Sequence, residues 1–142
     1  MKKNYLYYFI LFGLGFYGYG LIEILWRGYT HPSMSLAGGI IFFIVPKIIE
    51  ILKPYKMIYK CITCGILITF IELIFGLYFN IYLKIYVWDY SMFRYNFLGQ
   101  ICVTYSVLWC FLSLPIIYIS DKIKNNIVNN YKMSNKTEIT EL

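Results

Sequence analysis

Four nearly continuous apolar stretches dominate the sequence, each near the roughly 20 residues that carry a helix across a bilayer. They run over Tyr5–Trp26, Leu36–Leu52, Met57–Tyr82 and Phe97–Ile119. In hydrocarbon the backbone must satisfy its own polar groups, so apolar segments of this length read as helices. The expected fold class is all-α: a polytopic membrane protein with four transmembrane helices. The second stretch is the shortest and carries Pro46 and Lys47 near its end, and Lys53-Pro54-Tyr55-Lys56 reads as a tight turn into the third. Composition argues against a water-soluble globule. The chain is 60% hydrophobic and only 14% charged, against about 25% charged in average soluble domains.

Two regions follow: a transmembrane domain over residues 1–119 and a polar tail over 120–142, expected to be frayed or disordered. Met1–Asn4 leads into the first stretch without a small-residue cleavage site, so no cleaved leader is expected. The positive charges set an orientation. Lys2, Lys3, Lys47, Lys53, Lys56, Lys60, Lys122, Lys124, Lys132 and Lys136 fall on one side, against Arg27, Lys84 and Arg94 on the other. That bias places both termini in the cytoplasm of a cell-membrane protein. The net charge of +6 then signals affinity for anionic lipid headgroups, so membrane lipids are the expected partners and nucleic acid is not.

The outer segments are Arg27–Ser35 and Lys84–Asn96. Trp26, Tyr29, Tyr82, Tyr86, Trp88, Tyr90 and Tyr95 fit an aromatic belt at the membrane interface. The two halves also resemble each other. "GLIEILWRG" (Gly20–Gly28) parallels "TFIELIFGL" (Thr69–Leu77), and "SLAGGIIFF" (Ser35–Phe43) parallels "NFLGQICVT" (Asn96–Thr104). Duplication of a two-helix unit is one reading of that likeness, in the manner of parallel transporter repeats; chance similarity of Ile/Leu-rich stretches is the other.

Glu23 and Glu72 lie inside apolar runs, where an acidic residue costs about 2.5–3.5 kcal/mol on insertion scales. Glu23 and Arg27 are one helical turn apart and can pair. Glu72 has no basic neighbour in its own stretch, so its partner must be another span, water or a bound proton. His31 is the sole histidine; alone it supplies one proton carrier or one ligand, not a metal site. With Glu23 and Glu72 it would form a polar cluster near the outer face. Asp89 reads either as a turn carboxylate or as a partner for Arg27 or Arg94. Pro32 disfavours helix at His31, Ser33 or Ser35 then caps the second span, and Gly38 and Gly39 allow close helix approach.

Other patterns carry no chemistry. Cys61, Cys64, Cys102 and Cys110 sit in apolar runs rather than loops, and Cys61-Ile-Thr-Cys64 has no second pair. "GLGFYG" (Gly13–Gly18) follows no strand, so it reads as a packing seam of Gly13, Gly15, Gly18 and Gly20 rather than a dinucleotide loop. No metal, cofactor or nucleotide-hydrolysing role is expected.

"EILWRGYTHPSMSLAGG" (Glu23–Gly39), "IELIFGLYFN" (Ile71–Asn80), "VWDYS" (Val87–Ser91) and "NFLGQICVTYSVLW" (Asn96–Trp109) together resemble the small bacterial multi-pass proteins of the "putative ABC-transporter type IV", or CmpB-like, family. The resemblance implies a multi-pass membrane domain whose polar signature falls on Glu23, Trp26, Arg27, Gly28, His31, Ser33, Gly38, Glu72, Asn80, Trp88, Asp89, Tyr90, Asn96 and Gln100. The leading functional expectation is a transport or permease-like component. Its outward-facing polar pocket would be lined by Glu23, Arg27, His31, Glu72 and Asp89, with a homo-oligomer or a separate ATPase subunit completing the pathway. One alternative is an intramembrane enzyme using His31 and a carboxylate on a lipid or other hydrophobic substrate. The other is a structural or regulatory subunit in which the polar cluster locks helices together. No catalytic residue is assigned. The readings differ in whether the cluster surrounds a hollow or fills one.

Overall fold

A computed structural model describes the backbone of residues 2–140 and the side chains of residues 5–127. Four helices are long and apolar enough to cross a membrane. They are α1 (Lys2–Arg27), α2 (Pro32–Ile51), α3 (Met57–Phe75) and α4 (Val103–Thr140), with α3 continuing into a π-helical segment, Gly76–Tyr82. The one short sheet among the described residues is a hairpin of β1 (Asn96–Phe97) and β2 (Ile101–Cys102), with Asn96 opposite Cys102 and Phe97 opposite Ile101.

Three boundaries differ from the sequence reading. Helix α2 starts at Pro32 rather than Leu36, because Pro32 takes the first helical position and His31, with an extended backbone, caps it. Neither Ser33 nor Ser35 is the cap. The fourth span starts at Val103 rather than Phe97, since Leu98 (φ 52°) and Gly99 (φ 67°) turn the chain into the hairpin. At the far end α4 passes Ser120 and continues to Thr140; no glycine or proline follows Pro115 to stop it. The polar tail is thus continuous with the fourth span as far as Thr140.

The helices form two hairpins, α1 against α2 and α3 against α4, with α2 the most enclosed. Its buried residues Ala37, Ile41, Val45 and Ile49 recur every four positions and face Cys61, Cys64, Ile68 and Ile71 of α3 and Trp109 and Ile117 of α4. In α1–α2, Gly15 and Gly38 lie backbone to backbone: a side chain on Gly38 would strike Tyr19 Cβ and the Gly15 carbonyl. Gly13 and Gly18 face open space, so the seam consists of Gly15 and Gly20 on α1 with Gly38 and Gly39 on α2. The outward faces carry exposed Phe9, Leu21, Leu25, Ile66, Phe70 and Phe111, the surface a lipid solvent requires.

At one end of the bundle, Tyr7 donates to the Ser120 carbonyl (3.3 Å) and Lys124 pairs with Glu50 (2.7 Å), joining the start of α1, the end of α2 and α4. The opposite end carries the α1–α2 loop, the π-helical segment, the irregular chain from Leu83 to Tyr95 and the hairpin. The polar residues gather there.

Candidate functional site

Glu23 sits one turn before the end of α1 and is 8% exposed. Its carboxylate accepts Arg27 Nη2 at 2.7 Å and Thr30 Oγ1 at 2.6 Å. The ion pair follows from helix periodicity. Thr30 arrives because Gly28, at φ 80°, turns the chain back across the helix end. Arg27 Nη1 also donates to the Val87 carbonyl at 3.3 Å, while its Nε is buried without a hydrogen-bond partner.

His31 faces a hydroxyl, not a carboxylate. Its Nδ1 accepts the Ser33 backbone N–H at 3.2 Å and lies 2.7 Å from Ser33 Oγ. A backbone N–H can only donate, so Nδ1 carries no proton here and Nε2 does. The ring meets Phe79 edge-on at 6.0 Å.

Glu72, on α3, is 5% exposed. Tyr90 OH donates to Oε1 at 2.8 Å and Trp109 Nε1 to Oε2 at 2.9 Å. Another span therefore supplies one donor, and the irregular chain from Leu83 to Tyr95 supplies the other. Burial, and secondarily the Glu72 carboxylate, hold the Tyr90 phenol above tyrosine's ordinary range, so it serves as a donor. Beside Glu72 lies a void of about 10 Å³, bordered by Tyr19, Met34, Ile68, Phe75 and Trp109. That is room for about one water.

Asn80 lies in the π-helical segment and is 3% exposed. A π turn holds more residues than an α turn and so redirects the side chains that follow it. Asn80 Nδ2 donates to the Trp88 carbonyl (2.9 Å) and Gln100 Oε1 (2.8 Å), and Oδ1 accepts the Val87 N–H (2.6 Å). Gln100 Nε2 donates to the Leu98 carbonyl (2.9 Å), and Trp88 Nε1 to the Gln100 carbonyl (2.9 Å). Gly76 lets Gln100 approach: a Cβ there would lie 2.6 Å from Gln100 Oε1.

Many of these contacts meet on one segment without regular secondary structure, Val87–Tyr90, which is tied across the end of the bundle as a strap. Arg27 of α1, Asn80 of the π-helical segment, Glu72 of α3 and Gln100 of the hairpin region each bond it. The Tyr90 N–H adds a bond to the Gly99 carbonyl (2.8 Å).

Asp89 lies on this strap but points away. It is exposed, and its oxygens accept Ser91 N at 2.8 Å and Ser91 Oγ at 2.9 Å. Those bonds, the backbone one first, hold its carboxyl below the usual range. Asp89 is a turn carboxylate, not a partner of Arg27 or Arg94. Asn96 likewise closes a turn, donating to the carbonyls of Phe93 (2.8 Å) and Ser91 (3.3 Å). Of the aromatic belt, Trp26, Tyr29, Tyr82, Tyr86 and Tyr95 are exposed, whereas Trp88 is buried and Tyr90 half-buried. Both were drawn inward because each polar tip has a fixed acceptor.

Thr30, Val87 and Trp109 belong to the site although the sequence reading did not select them. Trp109 carried a signal: an indole N–H buried in a span has to find an acceptor. Among the described residues no group of three or more His, Cys, Asp or Glu could hold a metal ion, and the four cysteines are free thiols.

The model of a protein family described as "Putative ABC-transporter type IV" matches residues 6–140, nearly the whole chain. No curated protein and no solved structure matches it.

Proposed function

The chain belongs to the family described as "Putative ABC-transporter type IV", and from that membership we propose that it is a membrane subunit of a transport assembly whose strapped end is a structural lock rather than the solute path. Nucleotide hydrolysis would come from a separate ATPase subunit, and the path would form between copies or against a partner. The excess of lysines at the Tyr7–Ser120 end supports an arrangement in the cell membrane with that end and both termini cytoplasmic, and the strap outside.

The carrying observation is that both oxygens of Glu23 and of Glu72 accept protein donors, from Arg27 and Thr30 and from Tyr90 and Trp109, while Arg27, Asn80 and Gln100 bond Val87–Tyr90. The space beside Glu72 admits about one water. Charges arranged this way hold the two hairpins in register and fill the site. A second reading, a permease in which Glu72 carries a proton, draws support from the water-sized void beside that carboxylate. The lipid-enzyme reading receives less, since His31 bonds Ser33 rather than a carboxylate.

Glu72→Gln separates the two readings. The lock reading expects the detergent-solubilised variant to lose about 1–3 kcal/mol of stability, because the amide nitrogen that replaces one carboxylate oxygen cannot accept the donor that oxygen held. Transport by reconstituted assemblies should then fall only in proportion to the folded protein present. Full thermal stability with abolished flux would overturn the lock in favour of the proton-carrying permease.

A further inference from the structure

At the end opposite the strap, the outer face of the α1–α2 hairpin opens into a groove of about 800 Å³. Among the described residues it is lined by Tyr5, Leu6, Tyr8, Phe9, Phe12 and Phe43, with Lys47 as the cation in that lining. Lys47 is exposed, and its Nζ lies 3.9 Å from the centroid of the Phe43 ring and 5.0 Å from that of Tyr8, which places the head over the aromatic lining. Among the described residues it pairs with no carboxylate, and Glu50, one turn on, is engaged by Lys124 at 2.7 Å.

The groove follows α1 from Tyr5 to Phe12, about 10 Å at 1.5 Å per residue. Lys47 stands four residues before the end of α2 at Ile51, hence about 6 Å below the helix terminus, a depth at which a lysine reaches the headgroups. An occupant must bring hydrocarbon along the aromatic slot and an anion at one end. A membrane phospholipid has that form, and the turn beside the groove adds exposed Lys53 and Lys56 to the same end.

We propose that the groove between α1 and α2 binds an anionic phospholipid, its phosphate on Lys47 and an acyl chain against Tyr8, Phe9 and Phe12. The site is distinct from the strap, and the transport and lock readings can fail without affecting it.

The test is native mass spectrometry of the purified chain released from nanodiscs containing equal amounts of phosphatidylglycerol and phosphatidylcholine. Bound phosphatidylglycerol should exceed phosphatidylcholine by about fivefold, the order expected for one lysine near an anionic headgroup. The preference should vanish in Lys47→Gln and survive in Lys53→Gln. Equal retention of the two lipids by the wild type would overturn the proposal without any variant. So would a preference that Lys47→Gln leaves unchanged, or a dimer that carries no lipid and dissociates in Phe9→Ala, which would mark the groove as a contact between copies.

Discussion

Single side chains at the strapped end act as multi-point fasteners, so their loss is expected to cost more than one hydrogen bond. Asn80 satisfies the Val87 N–H, the Trp88 carbonyl and the Gln100 side chain. Asn80→Leu keeps the volume and orphans all of them, and a buried unpaired polar group costs about 1–3 kcal/mol. A loss of about 3 kcal/mol should appear as a lowered unfolding midpoint in detergent. Tyr90 gives a pH dependence. Its pKa is raised in the folded state above the ordinary 10.0, so its contribution is fully present below pH 10 and is lost as pH rises through the folded value. Tryptophan fluorescence of the wild type, read against Tyr90→Phe, should show no Tyr90-dependent change from neutral pH to about 10 and a release of Trp88 above it. Glu23–Arg27 was legible because its members share a helix. Glu72 was legible only as a problem, since its solution came from Tyr90 and Trp109, distant in sequence.

At the scale of elements, glycines decide which helices approach. Gly38→Leu would drive a side chain into Tyr19 and the Gly15 backbone, and overpacking of this kind costs about 1–3 kcal/mol. A Cβ added at Gly13 meets nothing within 4 Å, so Gly13→Leu should leave the unfolding midpoint in place. Comparing the two variants checks the seam, which the sequence could list but not divide into facing and open glycines. The π-helical segment was hidden for a related reason: Gly76–Tyr82 reads as a continuation of the apolar third span, and the close approach of Gln100 to Gly76 joins residues far apart in sequence. The hairpin before α4 was missed because Phe97, Leu98, Ile101 and Cys102 prolong the apolar run of the fourth span, and the positive φ angles of Leu98 and Gly99 that mark the turn are not written in it.

For the whole molecule, the charge distribution makes a topological prediction. Met92, 93% exposed in the outer chain, and Lys53, in the α2–α3 turn, should lie on opposite sides of the membrane. In intact cells a membrane-impermeant maleimide should label Met92→Cys, and should label Lys53→Cys only after permeabilisation. The native thiols are a small background, since Cys61, Cys64 and Cys102 are buried and Cys110 is partly so. The reverse labelling pattern would invert the assignment of both termini to the cytoplasm.

The sequence by itself determined that the chain is a set of four lipid-facing helices, because apolar length against bilayer thickness admits few alternatives. It also exposed the residues that need an explanation, because an acidic group in hydrocarbon is costly wherever it sits. The tertiary structure alone decided which partners those residues meet. Whether Glu72 borders a path or fills a joint depends on which donors from other elements reach it, and hydrogen bonds between residues as distant as Glu72 and Trp109 leave no periodic trace in the chain. The same holds for Val87–Tyr90. Its Trp and Tyr read as interfacial until the fold brings the Gln100 carbonyl and the Glu72 carboxylate to their polar tips.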